Sequence, residues 1–193
     1  MNGGMIRFIL GSVLKVESVL LLFPCIVAVF YRESAGYWFL LTAVLSFVIG
    51  YLMVRKKPAN TVFYLKEGCV TTALSWIMIS LVGCLPFYLS GEIPAFTDAL
   101  FETISGFTTT GASILTEIES LPRGILFWRS FTHWIGGMGF LIFILALIPS
   151  LSTNTIFLLK AESPGPNPGK IVPKIKETAK ILYMIYFVMT VIE

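Results

Sequence analysis

The sequence predicts an all-α membrane protein in which a helix–pore loop–helix unit follows two transmembrane helices. Three observations lead there. The 193-residue chain is 56% hydrophobic and only 13% charged, with mean hydropathy +0.85, whereas about a quarter of the residues in an ordinary soluble domain are charged. Four apolar segments come close to or exceed the roughly 20 residues that a helix needs to cross a bilayer. Residues 96–113, FTDALFETISGFTTTGAS, lie between the last two of these segments and are too short and too polar to cross. Backbone of that kind is tolerated at membrane depth only where protein buries it or it lines water. It therefore reads as a re-entrant loop, a half-helix entering the membrane followed by an extended return.

The first span is expected at about 8–30, with Pro24 as a kink. Arg7 ahead of an apolar run suggests a signal peptide. Lys15 and Glu17 interrupt that run, it continues to Phe30, and it offers no small-x-small cleavage site, so a retained span is expected. The second span, about 37–54, opens on the interfacial aromatics Tyr37 and Trp38. The third is about 68–90, and the fourth, about 124–149, is stopped by Pro149. A fifth apolar helix starts near Ile175 and reaches Glu193 without a stop signal. Cys25, Cys69 and Cys84 all fall in apolar runs with no CxxC spacing, and are expected to be small buried residues. Segment 161–173, AESPGPNPGKIVP, has four prolines and reads as a constrained connector.

Lysine and arginine placement orients the spans. Arg55, Lys56, Lys57 and Lys66 lie in one connection; Lys160, Lys170, Lys174, Lys176 and Lys180 lie in another; Arg7 shares their side. The N-terminus and both basic loops are thus expected to be cytoplasmic. The opposite side has Arg32, Arg123 and Arg129 against Glu33, Glu92, Asp98, Glu102, Glu117 and Glu119. Such an acidic vestibule would concentrate cations above the re-entrant loop. Ordinary solvated loop charge is the competing reading for Glu33 and Glu92.

A potassium ion entering a membrane must exchange its water shell for protein oxygens, which stacked backbone carbonyls can supply. Gly111 allows the unusual backbone angles this requires. Thr108, Thr109 and Thr110 would stiffen an extended strand and add hydroxyl oxygens. The preceding helix directs its partly negative C-terminus at the same place. A tight loop with Gly111 as an ordinary turn residue is the alternative. Glu102, on the half-helix, is a functional candidate as an intramembrane ionisable group, and anchoring the loop is favoured over direct ion contact. His133 is the only histidine, so a metal centre is not expected. With no GxSxG and no triad pattern, neither is an enzyme. His133 and Arg129 read as packing or outer-mouth residues. Gly136, Gly137 and Gly139 permit either close helix approach or a hinge.

ALFETISGFTTTGASIL, SLPRGILFWRSFTHWIGGMGF and AESPGPNPGKIVPKIKETAKILYMIY, in that order, resemble the TrkH-type members of the Trk/Ktr potassium-uptake superfamily, and the likeness extends over the whole chain. It implies a potassium-channel-like fold of four helix–pore loop–helix units around one pore. On that template 1–60 is a two-helix N-terminal membrane domain and 68–149 the first unit. Residues 150–174 are a cytoplasmic connector and 175–193 the start of the second unit. The filter positions map to Thr108, Thr109, Thr110, Gly111 and Ala112, with potassium at Thr109, Thr110 and Gly111 and with Glu102 and Ser113 as filter support. Potassium is then a substrate, and no cofactor is expected. The resemblance also implies multi-pass placement among the lipids of a bacterial inner (plasma) membrane and homodimerisation of the full-length protein. A TrkA-type cytoplasmic nucleotide-binding regulatory subunit is implied as partner, and nucleic acid is not. Three of the family's four filter segments, the interrupted helix of its third unit and the gate arginine of its fourth have no counterpart here. The expectation is therefore the N-terminal part of a transporter, with a short-chain homotetrameric cation channel or a non-conducting membrane scaffold as alternatives.

Overall fold

The computed structural model describes residues 2–56, 58, 64–137 and 184–192. The helices in order are α1 (Gly3–Leu20), α2 (Leu22–Phe30), α3 (Ala35–Val54), α4 (Leu65–Gly83), α5 (Leu85–Leu89), α6 (Phe96–Phe107) and α7 (Arg123–Gly137). A further helical stretch covers 184–192, and no strand occurs among the described residues. Gly3–Phe30, Ala35–Val54 and Lys66–Leu89 are long and apolar enough to cross a membrane. Residues 138–149 of the fourth expected span, with Gly139 and Pro149, lie outside the described residues, as do the connector 150–174 and residues 175–183 and 193 of the fifth helix.

Two of these spans are broken, each just ahead of a proline. The first breaks at Leu21 rather than at Pro24 itself. Proline has no N–H for the carbonyl four residues back, and its ring crowds that carbonyl, so the break falls N-terminal to the ring. The same reason separates α4 from α5 at Cys84, two residues before Pro86. That break was not expected, since 68–90 read as one helix.

Two of the spans, α3 and α4, turn small and polar residues inward. α3 buries Thr42, Ala43, Ser46 and Gly50 and exposes Leu41, Val44, Leu45 and Val48. This polarity suits hydrocarbon surroundings, where close approach and hydrogen bonds hold helices together. α1 and α3 cross at Gly11 and Gly50: a Cβ on Gly11 would lie 2.9 Å from the Gly50 carbonyl oxygen, and one on Gly50 2.7 Å from that of Gly11. Nearby, Ser46 Oγ donates to the Leu14 carbonyl at 3.0 Å. α4 likewise buries Glu67, Thr71 and Ser75 and exposes Leu74, Ile77 and Leu81. Cys69 corrects the expectation of three buried cysteines. It falls on the outward row of Cys69, Ala73, Ile77 and Leu81, one helical turn apart, and is exposed, whereas Cys25 and Cys84 are buried.

Glu17, on α1, is 1% exposed, and neither carboxyl oxygen has a hydrogen-bond partner. Burying a polar group without a partner costs about 1–3 kcal/mol. Glu17→Leu, similar in volume, is expected to raise the melting temperature of the chain in detergent. A fall would show that the carboxyl is held.

Trp128 joins the layers. It is fully buried on α7, donates from Nε1 to the Gly83 carbonyl at 2.8 Å where α4 ends, and meets Phe39 of α3 and Phe107 of α6 edge-on. α6 and α7 thereby pack against the N-terminal helices.

Candidate functional site

α6 has 12 residues, about 18 Å at 1.5 Å per residue, against roughly 30 Å of hydrocarbon. Its last turn closes in a Schellman motif: Thr109 N–H donates to the Gly106 carbonyl at 2.9 Å and Thr110 N–H to the Ser105 carbonyl at 3.0 Å. The left-handed position of this motif belongs to glycine by default, but here it is Thr109, with φ +55. A β-branched residue in that region is a backbone outlier, costing on the order of 1–3 kcal/mol. The expectation of three threonines along an extended strand is thus corrected. Thr108 has helical angles at the end of α6, and Thr109 reverses the chain. Gly111 is also left-handed, with φ +74.

The chain then returns along α6, held by two positions on one face of that helix, three residues apart. Ser105 Oγ donates to the Ala112 carbonyl at 2.6 Å. The Glu102 carboxylate accepts from Ser113 Oγ at 3.0 and 3.1 Å and from Ile114 N–H at 3.3 Å. Glu102 is 2% exposed, and a carboxylate buried that far needs a cation. Arg129 of α7 provides it, with Nε donating to Glu102 Oε1 at 2.5 Å. Arg129 is therefore a bracing residue for the loop rather than a packing or outer-mouth residue. His133 is tied to its own helix, Nδ1 lying 3.0 Å from the Arg129 carbonyl oxygen. Thr108 through Ser113 are all exposed.

α6 and α7 can lie this close because glycines face the crossing. A Cβ on Gly106 would sit 2.2 Å from Thr132 Oγ1, and one on Gly136 2.1 Å from the Phe107 carbonyl oxygen. Of the two readings of the glycine cluster, Gly136 takes close approach.

Glu33 is half-buried and is not a free loop charge. Its carboxylate accepts from Arg123 N–H at 2.6 Å and Gly124 N–H at 2.9 Å, the first amides of α7. With Glu33 and Glu102 so engaged, the acids left for the expected vestibule are Glu92, Asp98, Glu117 and Glu119, set against Arg32 and Arg123.

Sequence reading passed over Ser105, Arg129 and Trp128 as site-forming residues. Ser105 is one helical turn from Glu102, a spacing that could have been read. Arg129 is the one cation within the fourth apolar segment, and a buried Glu102 demanded a cation. No local pattern marks Trp128. Chemically, the loop presents carbonyl and hydroxyl oxygens on a backbone tied down at 112, 113 and 114. Such an all-oxygen donor set suits a hard cation. Among the described residues no group of three or more histidine, cysteine or acidic side chains could hold a metal ion.

Comparison with known proteins gives a consistent set of likenesses. Residues 37–193 match a family described as TrkH, cation transport protein. The chain is 39% identical over 189 residues to the Trk system potassium uptake protein TrkH of Escherichia coli K12, covering 95% of this chain and 38% of that protein. It is 35% identical over 188 residues to an uncharacterized cation transporter of Methanocaldococcus jannaschii, covering 97% of this chain and 39% of that one. The crystal structure of the potassium transporter TrkH from Vibrio parahaemolyticus superposes with a TM-score of 0.77 at 32% identity, covering 99% of this chain and 38% of that one.

Proposed function

The chain belongs to the TrkH family of cation transport proteins, and on that premise we propose that it supplies one of the four selectivity-filter segments of a potassium-uptake transporter. It is an all-α membrane protein with a potassium-channel-like fold. The chain spans 38% of the length of the Escherichia coli relative, so the activity belongs to an assembly larger than these 193 residues. In this reading Thr108, Thr109, Thr110, Gly111 and Ala112 face the ion path, and potassium contacts oxygens of Thr109, Thr110 and Gly111. Glu102 and Ser113 hold the strand in place. Residues 1–60 form the preceding two-helix domain, 68–149 the first unit, 150–174 the connector and 175–193 the opening of the second unit. The protein lies in the bacterial inner membrane with its N-terminus cytoplasmic, dimerises at full length and docks a TrkA-type regulatory subunit.

One observation carries the reading. Glu102, buried and paired with Arg129, ties down both Ser113 and Ile114, so an oxygen-rich, side-chain-poor strand is held beside a helix too short to cross. A filter needs fixed oxygens, and this brace provides the fixing.

The test is growth of potassium-uptake-deficient cells in low potassium. The chain is expressed alone and as a chimera continued past position 193 with the remaining length of the Escherichia coli relative. Growth with the chimera is expected. Growth with the 193-residue chain alone would favour the homotetramer. A chimera that is folded in the membrane but inactive would favour the scaffold. In the working chimera Gly111→Ser is expected to lower potassium-over-sodium selectivity. A Cβ at Gly111 meets nothing within 4 Å, so the change acts through the left-handed backbone. Unchanged selectivity would remove Gly111 from the filter.

A further inference from the structure

We propose that Glu33 is a positioning residue for the filter strand, acting from the N-terminal two-helix domain through α7, an inference that rests on the filter reading above. The head of α7 has an unmet need for acceptors. The first N–H groups of a helix lack partners within it, and an N-cap side chain normally supplies an acceptor. Here the residue before α7 is Pro122, whose carbonyl accepts from Leu126 N–H at 3.0 Å but whose side chain carries no acceptor. Glu33, some 90 residues earlier, supplies it to Arg123 and Gly124 at 2.6 and 2.9 Å. A carboxylate also suits the positive end of the helix dipole.

The chain is shaped to present that carboxylate. α2 ends in a second Schellman motif, with Arg32 N–H donating to the Val29 carbonyl at 3.1 Å and Glu33 N–H to the Ala28 carbonyl at 2.9 Å. Its left-handed residue is Arg32, with φ +58. Arg32 and Thr109 are the only non-glycine residues with positive φ among those described. One directly precedes Glu33, and the other begins the filter loop. Gly124 completes the seat, since a Cβ there would lie 2.7 Å from Ala28 Cβ and 3.3 Å from Glu33 Oε2.

From Gly124 the same helix runs one and a half turns to Arg129, then through the ion pair to Glu102, and from Glu102 to Ser113 and Ile114. Every link is a hydrogen bond or continuous helix. A shift or fraying at the head of α7 therefore moves the cation that sets the Glu102 carboxylate, and with it the strand.

Two measurements test this on Glu33→Ala and Glu33→Gln, with Ser46→Ala as control. Ser46→Ala removes the Ser46–Leu14 hydrogen bond, loosening the N-terminal helices without touching α7. The first measurement is hydrogen exchange at the Ile114 amide of the 193-residue chain in lipid nanodiscs. The second is the potassium-over-sodium uptake ratio of the chimera. Glu33→Ala is expected to speed Ile114 exchange about tenfold, the size of a lost N-cap, and to lower the uptake ratio. Glu33→Gln, which keeps one acceptor oxygen, should fall between it and the parent. Ser46→Ala should leave both readouts at the parent values. Parent-like Ile114 exchange in Glu33→Ala would overturn the proposal, as would an equal rise in Ser46→Ala. If Glu33→Ala fails to fold, Glu33→Gln decides by the same criterion. A chimera without any potassium uptake would sink the filter reading, while the exchange measurement would still decide whether Glu33 controls the strand.

Discussion

Gly136→Ala is expected to abolish potassium uptake by the chimera and to sharply reduce the amount of folded protein. The added Cβ would lie 2.1 Å from the Phe107 carbonyl oxygen, 2.8 Å from its carbonyl carbon and 3.1 Å from its Cα. All three are backbone atoms, so no rotamer change relieves the clash, and α6 and α7 must separate by about 1 Å. Overpacking costs typically 1–3 kcal/mol where side chains can adjust, and here they cannot. Separation at Gly136 also strains the Gly106–Thr132 contact one turn earlier and lengthens the Glu102–Arg129 pair on the same two helices. Gly91→Ala is the useful comparison. Gly91 has φ +80, but a Cβ there meets nothing within 4 Å, so only the backbone term of about 1 kcal/mol applies. Melting temperatures of the two variants in detergent, read beside uptake, should differ widely. Equal melting temperatures would mean that the crossing at Gly136 is looser than its geometry.

Arg129→Leu should be nearly as damaging, for an electrostatic reason. It leaves Glu102 buried with Ser113 Oγ and Ile114 N–H as donors and no cation. Breaking a buried pair from one side costs about 3–5 kcal/mol, whereas replacing both partners with apolar residues is often neutral. The double variant Glu102→Leu/Arg129→Leu is accordingly expected to recover most of the melting temperature. It should not recover selectivity, because the acceptor holding Ser113 and Ile114 is gone. Arg129→Lys should be intermediate, since an ammonium keeps the charge but not the planar donor geometry. If the double variant restored stability and selectivity together, the pair would be structural and the brace would have no role in ion choice.

The readable parts of this chain were those governed by local composition. Hydropathy and length located α3 to within two residues of its observed start. The segment 96–113 was visible as a short helix followed by TTTG, too short and too polar to cross a membrane, and the structure gives that helix 12 residues. Pro24 was read as a kink, but the break falls ahead of its ring, at Leu21; the break ahead of Pro86 was not read at all, because 68–90 looked like one continuous helix. Cys69 was misread because hydropathy does not say which face of a membrane helix turns outward. Here the polar face turns inward and the cysteine lies on the other side. Thr109 was misread because a local propensity for extended backbone yields to a helix terminus that needs a left-handed residue.

The partnerships were not legible. Glu33 to Arg123 and Gly124, Glu102 to Arg129, and Trp128 to Gly83 join residues 27 to 91 positions apart, and no sequence period spans such distances. Glu33 could be read as part of an acidic vestibule or as a loop charge, and Arg129 as a packing or outer-mouth residue, but neither as one half of a partnership. By itself the sequence determined what each segment is: which stretches are long and apolar enough to span, and which one is short, polar and oxygen-rich. Those properties follow from side-chain transfer energies and from rise per residue, both of which are local. Only the tertiary structure decided which charges are spent inside the protein, because a buried carboxylate takes its cation from whatever helix packing brings within 3 Å.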